Sequence, residues 1–476
     1  MLKVLSVLAV LAAIARAGPA PKHLPEPDPS LSFSVNVDGD TLGGIGSAIA
    51  LKPGAFRANK DGTFSGTVIT QPDRGFNLHA GRDTTINYQG RQHEIDFVLK
   101  PYYGTANLSF NASQETLGLK YKKTLLYKDR FGVKTSGLDA LGVRRAERGF
   151  PLLATADPVM PIPNGTFNHL TMDNEGLIVE DDGSFWVSDE YGPYVYRFDS
   201  LGNLVQTIQP PPAILPQIAG KTNFTSVSGP DTGRVGNQGF ECLTLDKFSN
   251  VLWVMLQSAA VQDGGDDKST SRFTRLLAYD VALPLLRRPK LVKEFAVPLP
   301  QNKKGNTLAS SEIHFVSEGV FLALSRDGNG HGDDNPTSQY KQIDIVTIDG
   351  ATDIHGTKFD SPEHPIAVNG TLDSSIKPAT YTSFLNMLDT TQLARFGLHN
   401  GEPVDQTLID GKWESIALAP VGDPAFPHDF FLFTAADNDF ISTDGVSLGV
   451  PFNAGLDNDN QFMVWRVTLP TAVGTP

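Results

Sequence analysis

Hydrophobic and polar positions along this chain fall into short runs, and the runs come in pairs separated by turn residues. The clearest pair, Leu177 to Val179 and Phe185 to Val187, flanks Asp182-Gly183, a dipeptide that tolerates the positive φ of a tight turn. The pattern predicts a β-hairpin from Asp173 to Glu190. Folding back about the turn returns Asp189 and Glu190 to the end where Asp173 and Glu175 began, so several carboxylates crowd one rim. Like charges that close repel, and a bound cation is one physical remedy.

The same unit recurs. Gly43 to Leu51 leads to Thr67 through Gly75; Gly239 to Leu245 turns through Lys247 to Asn250 into Val251 through Ser258; Ser311 to Val316 turns at Glu318-Gly319 into Val320 through Asp327; and Trp413 to Leu418 leads to Phe430 through Thr434 and then Asp437-Asn438-Asp439. Glutamates Glu175, Glu241, Glu312 and Glu414 lead four of these hairpins, at intervals of 66, 71 and 102 residues. Two intervals are near the length of a four-stranded propeller blade, and the third implies an insertion or an additional blade. Tyr194 to Asp199, Arg275 to Asp280 and Gln342 to Ile348 read as third strands. The expected fold class is all-β, a β-propeller. Six blades fit a body of roughly 440 residues, with seven as the alternative. Closure is expected from pairing of N- and C-terminal strands, Phe462 to Val467 against a strand such as Leu31 to Val37, which protects the sheet edges. Thr380 to Phe396 has the best helical spacing and lies in the long third interval. Thr41 to Gly46 lacks the third glycine and following helix of a dinucleotide loop.

Composition narrows the partners. The 45 Gly, 33 Pro and 28 Phe among 476 residues suit many short strands, while a net charge of −14 argues against nucleic acid and anionic membranes and leaves room for cations. Met1 to Ala17 carries Lys3, an apolar run from Val4 to Ile14 and Ala15-Arg16-Ala17 before Gly18, the pattern of a cleaved signal peptide. That run falls short of the roughly 20 residues of a spanning helix. The expected organisation is a signal peptide at 1–17, a proline-rich arm at 18–30, the propeller at 31–470 and a tail at 471–476, in a secreted, extracellular monomer without stable membrane insertion. Sequons at Asn107, Asn111, Asn164, Asn223 and Asn369 are candidate glycosylation sites. Cys242 is the single cysteine, which excludes an intrachain disulfide and reads as a small buried hydrophobe.

The innermost strand of each propeller blade lines the central channel, so residues at one end of equivalent strands converge. Glu175, Glu241, Glu312 and Glu414 would then face one another, with Asp173, Asp189, Glu190, Gln257, Arg326, Asp327, Asp437, Asn438 and Asp439 at the same rim. Apart from Arg326 the set offers mainly oxygen donors and no thiolate, which suits calcium or another hard divalent metal better than zinc. Turn-capping or solvated acids are the other reading. Arg74, Arg326 and Lys341 would hold an anionic phosphate or carboxylate beside such a metal, with surface ion pairing as the alternative. Asp327 to Asn335 alternates oxygen donors like a calcium loop but has Ser338 at the twelfth position; a polar loop is the alternative. Neither a Gly-x-Ser-x-Gly elbow nor a His-Glu-x-x-His helix is present.

Asp173-Asn174-Glu175-Gly176-Leu177 with Trp186-Val187-Ser188-Asp189-Glu190, Gly239-Phe240-Glu241 with Leu256-Gln257-Ser258, Asp73-Arg74-Gly75, and Asp437-Asn438-Asp439-Phe440 together resemble the phytase-like family, the esterase-like domain of phytase. The pattern covers most of the mature chain. It departs from the family at Ser325-Arg326-Asp327, where Glu-Arg is common, and at Glu414-Ser415, where Glu-Gly is common. The resemblance implies a secreted propeller hydrolase acting on phosphate esters, phytate-like, or related esters. Glu175, Glu241, Arg74 and Arg326 would be catalytic, and the metal would be held among Asp173, Glu175, Asp189, Glu190, Glu241, Glu312, Asp327, Glu414, Asp437 and Asp439. Alternatives are a non-enzymatic extracellular binding propeller with a structural calcium and a lactonase-like propeller. The chain lacks the Arg-His-Gly-x-Arg-x-Pro motif of histidine acid phosphatases.

Overall fold

The computed structural model describes residues 39–76 and 85–469 in full and the backbone of 10–15 and 34–35. Five antiparallel sheets of at least four strands stand around one axis. Blade one runs Ala48–Leu51, Phe64–Gln71, Arg91–Leu99 and Leu117–Leu126, with Arg57–Ala58 added beside Phe64–Gln71. Blade two is Asn174–Val179, Phe185–Asp189, Val195–Phe198 and Leu204–Ile208. Blade three is Phe240–Asp246, Val251–Leu256, Phe273–Asp280 and Lys290–Pro298. Blade four is Ser310–Ser317, Val320–Arg326, Lys341–Thr347 and Thr380–Asn386. Blade five is Lys412–Pro420, Asp429–Asp437 and Asn460–Thr468, with Val10–Ala15 paired outside them. The first strand of each blade packs against the first strands of its two neighbours, which closes the ring.

The blade count is therefore five, not six or seven. The length assigned to a further blade is spent on excursions. Tyr127 to Thr171 leaves blade one and carries only the short pair Gly142–Arg144 and Met160–Ile162. The interval of 102 residues holds an insertion between the third and fourth strands of blade four, not another blade. Thr380 to Phe396, expected to be helical, splits: Thr380–Asn386 pairs with the third strand, and only Thr390–Arg395 is helix, capped by Asp389 accepting from Thr391 N and Gln392 N. An open edge on blade four outweighs the local apolar spacing.

Period-two alternation builds the core as layers between blades. Phe185 and Val187 pack toward blade one, whereas Trp186 between them packs with Leu252 and Val254 of blade three. Cys242 is fully buried in the layer shared by blades three and four.

Closure also differs from expectation. Ser34–Val35 pairs with Asp40–Thr41 rather than with the C-terminal strand, and the rest of Leu31 to Val37 lies outside the described residues. The C-terminal strand pairs instead with Val10–Ala15, within the segment read as a signal peptide; the rest of that segment, the 18–30 arm and the 471–476 tail lie outside the described residues. The seam itself is made by the glycine-rich stretch after Leu42. Asn438 Oδ1 accepts from Gly44 N at 2.8 Å and Asn460 Oδ1 from Ile45 N at 3.2 Å. A Cβ on Gly46 would stand 2.0 Å from Ala436 O, so blades one and five approach this closely only because that position has no side chain.

Candidate metal and catalytic centre

Strand register explains which side chains reach the axis. Within blades two, three and five the pairing slips by one residue at the start of the inner strand, leaving Glu175, Glu241 and Glu414 in the bulge. A bulged residue has no partner opposite and its side chain is re-aimed. The position two residues earlier holds Asp173, Gly239 and Lys412, opposite Glu190, Gln257 and Asp437 respectively. In blade four Arg326 occupies the place of Glu190 and Gln257. Blade one contributes Asp73 and Arg74, just past Phe64–Gln71.

These residues line a cavity of about 190 Å³. Seven carboxyl groups (Asp73, Asp173, Glu175, Glu190, Glu241, Glu414, Asp439) face three cations (Arg74, Arg326, Lys412), with Asn237 and Gln257 between them. The acids outnumber the bases, and burial and mutual repulsion push several of them above the ordinary carboxylate range. Burial, then Glu241 and Glu190, pushes Glu175 well above the ordinary glutamate range, and burial followed by Glu241 does the same to Glu190. Asp73 is pushed up by burial and by Asp437. Glu241 rises to about 8 through burial and the nearby Glu414, and Asp437 to about 7 through burial despite Lys412.

Two groups of three carboxylates stand out. Asp173, Glu175 and Glu190 bring one oxygen each within 4.8 Å of the others, as do Asp73, Asp437 and Asp439. In the first group Arg74 donates to Asp173 from both Nη1, 3.0 Å to Oδ2, and its backbone N, 3.1 Å to Oδ1. Glu190 is 2 % exposed, and its Oε1 accepts no hydrogen bond. An enclosed carboxylate oxygen without a donor fits a hard cation, and the donors here are all oxygen. In the second group Lys412 Nζ lies 2.8 Å from Asp437 Oδ2 and 2.7 Å from Asp439 Oδ1.

Arg326 pairs with Glu414 and donates to Trp413 O at 3.2 Å. Arg74 also donates to Asn237, and Gln257 to Glu241 Oε1.

Of the sequence-derived candidates, Arg74, Asp173, Glu175, Glu190, Glu241, Arg326, Glu414 and Asp439 line the cavity, and Asp437 stands directly behind Lys412. Four are placed elsewhere. Asp189 is fully buried, and its carboxylate is taken up by its own blade, accepting from Asp173 N, Gly192 N and the Tyr196 hydroxyl. Glu312 fails for a reason of register: the slip in blade four leaves Ser311, not Glu312, in the bulge. Ser311 is thus the counterpart of Glu241, and Glu312 the counterpart of Cys242. Its carboxylate accepts from Leu243 N at 3.0 Å and Ile313 N at 2.8 Å, joining blades three and four. Asp327 ties its own loop by accepting from the Ser338 hydroxyl and the N–H groups of Gln339 and Tyr340. The Asp327 to Asn335 loop is not among the carboxylate or histidine groups gathered closely enough for a metal in the described residues. Lys341, expected as an anion-binding cation, is fully buried and donates to Asn329 O and Gly411 O.

Sequence reasoning missed Lys412, Asn237 and, as a carboxylate of the site, Asp73. The signal for Lys412 was present: it precedes Glu414 by two residues, as Asp173 precedes Glu175.

Fold and site together define a five-bladed propeller with a carboxylate-rich central cavity. The chain belongs to the phytase-like family, described as esterase-like activity of phytase, whose model matches residues 42–439. An "Uncharacterized secreted protein" of Arthroderma benhamiae is 37% identical over 455 residues, covering 87% of this chain and 86% of that one. This chain is likewise a secreted protein, and among its described residues no helix is long and apolar enough to cross a membrane. Two solved structures align at 10% identity: Pseudomonas fluorescens PhoX in complex with vanadate, a transition state analogue (TM-score 0.36; 99% of this chain, 97% of that one), and a Bacteroides ovatus glycosyl hydrolase (TM-score 0.35; 95% and 93%).

Proposed function

We propose that this protein is an extracellular hydrolase of phosphate esters that depends on a divalent cation held by Asp173, Glu175 and Glu190, with calcium the ion its all-oxygen donors suit. The observation that carries the reading is the bare, enclosed Glu190 Oε1 inside a carboxylate triad that shares one cavity with two guanidinium groups. When bound, such a cation acts as a Lewis acid toward a phosphoryl oxygen.

The chain's own groups supply the rest. Arg74 and Arg326 present N–H donors fixed by Asp173, Asn237 and Glu414, so they bind and orient a phosphoryl group and stabilise charge that grows on its oxygens. Burial and the nearby Glu414 raise the Glu241 carboxyl to about 8, so it can hold and pass on a proton, with its Oε1 accepting from Gln257 and its side chain also hydrogen-bonded to Glu175. The cavity is smaller than the roughly 300 Å³ at which whole-ligand pockets begin. It admits a phosphoryl head, and the alcohol portion of the ester stays outside. Asn107, Asn111, Asn164 and Asn369 are exposed and Asn223 is half-buried; we assign the glycans to these sequons.

The test is turnover of nitrophenyl phosphate, phytate, nitrophenyl carboxylic esters and lactones, with calcium and with chelator. Calcium-dependent phosphate release that disappears in Glu175→Gln and Glu241→Gln proteins of unchanged fold supports the reading. No turnover on any substrate, with a melting temperature that chelator lowers, replaces it with a binding propeller whose ion is structural.

A further inference from the structure

The two carboxylate triads of the cavity are not equivalent, and the difference is Lys412. Its strand position corresponds to that of Asp173 in blade two, so blade five presents an ammonium where blade two presents a carboxylate. Its Nζ lies 2.8 Å from Asp437 Oδ2, 2.7 Å from Asp439 Oδ1 and 3.6 Å from Glu414 Oε1. The surrounding backbone is arranged to keep this geometry. Asp439 N donates to Asp437 Oδ1 at 2.7 Å, and Asp439 and Phe440 both hold positive φ, 51° and 56°, a conformation that side-chain-bearing residues seldom adopt. The Asp73 oxygen lies within the same triad, with its Oδ1 also accepting from Gly75 N. By contrast, among the described residues the Asp173, Glu175 and Glu190 triad makes its ion pair at Asp173, with Arg74; Arg74 and the buried Arg234 act on Glu190 through their charge alone, and Glu190 Oε1 accepts no hydrogen bond.

We propose that Lys412 is a tethered cation standing in the second triad where a divalent ion would otherwise bind, so that this protein takes one divalent ion per chain and takes it at Asp173, Glu175 and Glu190. The proposal rests on the metal-dependent reading of the cavity given above. A second divalent ion coordinated by Asp437 and Asp439 would touch the oxygens that Nζ already contacts, and two cations sharing those oxygens repel across a gap of a few ångströms. Lys412 thereby acts as a positioning residue for the second triad, not as a free anion-binding group.

Calcium bound per chain is counted by equilibrium dialysis with radiolabelled calcium and by native mass spectrometry, on wild type, K412M, D439N and E190Q, with thermal unfolding recorded for each. The expected counts are one for wild type, two for K412M, one for D439N and none for E190Q. Two ions on wild type, one on a folded K412M protein, or loss of the ion in D439N overturns the role of Lys412 and leaves the metal-dependent reading standing. If K412M does not fold, K412Q, which also removes the ammonium, is counted in its place with the same two outcomes, and an ion retained by E190Q overturns its placement at Asp173, Glu175 and Glu190. No calcium on wild type overturns the metal-dependent reading and this inference together.

Discussion

Glu241→Gln is the substitution whose effect the site defines most sharply. Glu241 lies in the bulge of blade three, enclosed beside Glu414, and its carboxyl is pushed from the ordinary value of 4.5 up to about 8. An acid with a raised folded-state pKa favours the fold while it is protonated. That contribution is complete below about pH 4.5 and is lost as pH rises through about 8. The shift implies that ionising Glu241 costs the metal-free fold about 3 kcal/mol by pH 7 and about 5 kcal/mol above pH 9. Glutamine keeps the shape, retains an oxygen to accept from Gln257 Nε2, and cannot ionise. The assay is chemical unfolding of both proteins in chelator from pH 4 to pH 9. At pH 4 the two curves should lie close together, and by pH 8 the glutamine variant should be the more stable by several kcal/mol. Excess calcium should narrow the gap, because a cation in the cavity offsets the repulsion that raises the pKa. Parallel stability curves across this range would show that Glu241 is not strained by its neighbours and would remove it as a proton carrier.

Other outcomes follow from the same geometry. Calcium at about a hundred times its dissociation constant should stabilise wild type by about 2.7 kcal/mol, raising its melting temperature by a few degrees, and Glu190→Gln should abolish that rise. Arg74→Lys keeps the charge but loses the planar fork that spans Asp173 and Asn237, so kcat/KM on nitrophenyl phosphate should fall roughly 10- to 100-fold; an unchanged value places the phosphoryl group elsewhere. Arg275, fully enclosed between Asp263 and Glu294 at 2.6 and 2.8 Å, holds the blade-four insertion to blade three through Phe359 O. Arg275→Met leaves both acids uncompensated and should cost about 3–5 kcal/mol by denaturant unfolding. N-terminal sequencing of the secreted protein should begin at Gly18; Val10–Ala15 is the outermost strand of blade five, so its removal leaves the cavity residues in place.

Local pattern was enough to identify much of this protein. Each hairpin read from paired apolar runs is present, because a strand buried on alternate faces must alternate in sequence, and Asp182-Gly183 makes the turn with Gly183 at φ 80°. Of the four acids that open those hairpins, Glu175, Glu241 and Glu414 converge because they stand at the bulged starts of inner strands. Blade number was not legible: an excursion such as Tyr127 to Thr171 has the length of a blade, and only the pairing of its neighbours shows that it adds none. Nor was the exclusion of Glu312 legible, since a one-residue slip in the ladder decides whether a side chain meets the axis or the adjoining blade, and sequence spacing does not record the slip. Residue identity determined which chemistry was available, an excess of carboxylates with a few guanidinium groups. Tertiary structure decided which of those carboxylates share an ion-sized space, which are satisfied by backbone N–H groups, and that Lys412 stands among them, because these depend on distances between blades that no local stretch of chain sets by itself.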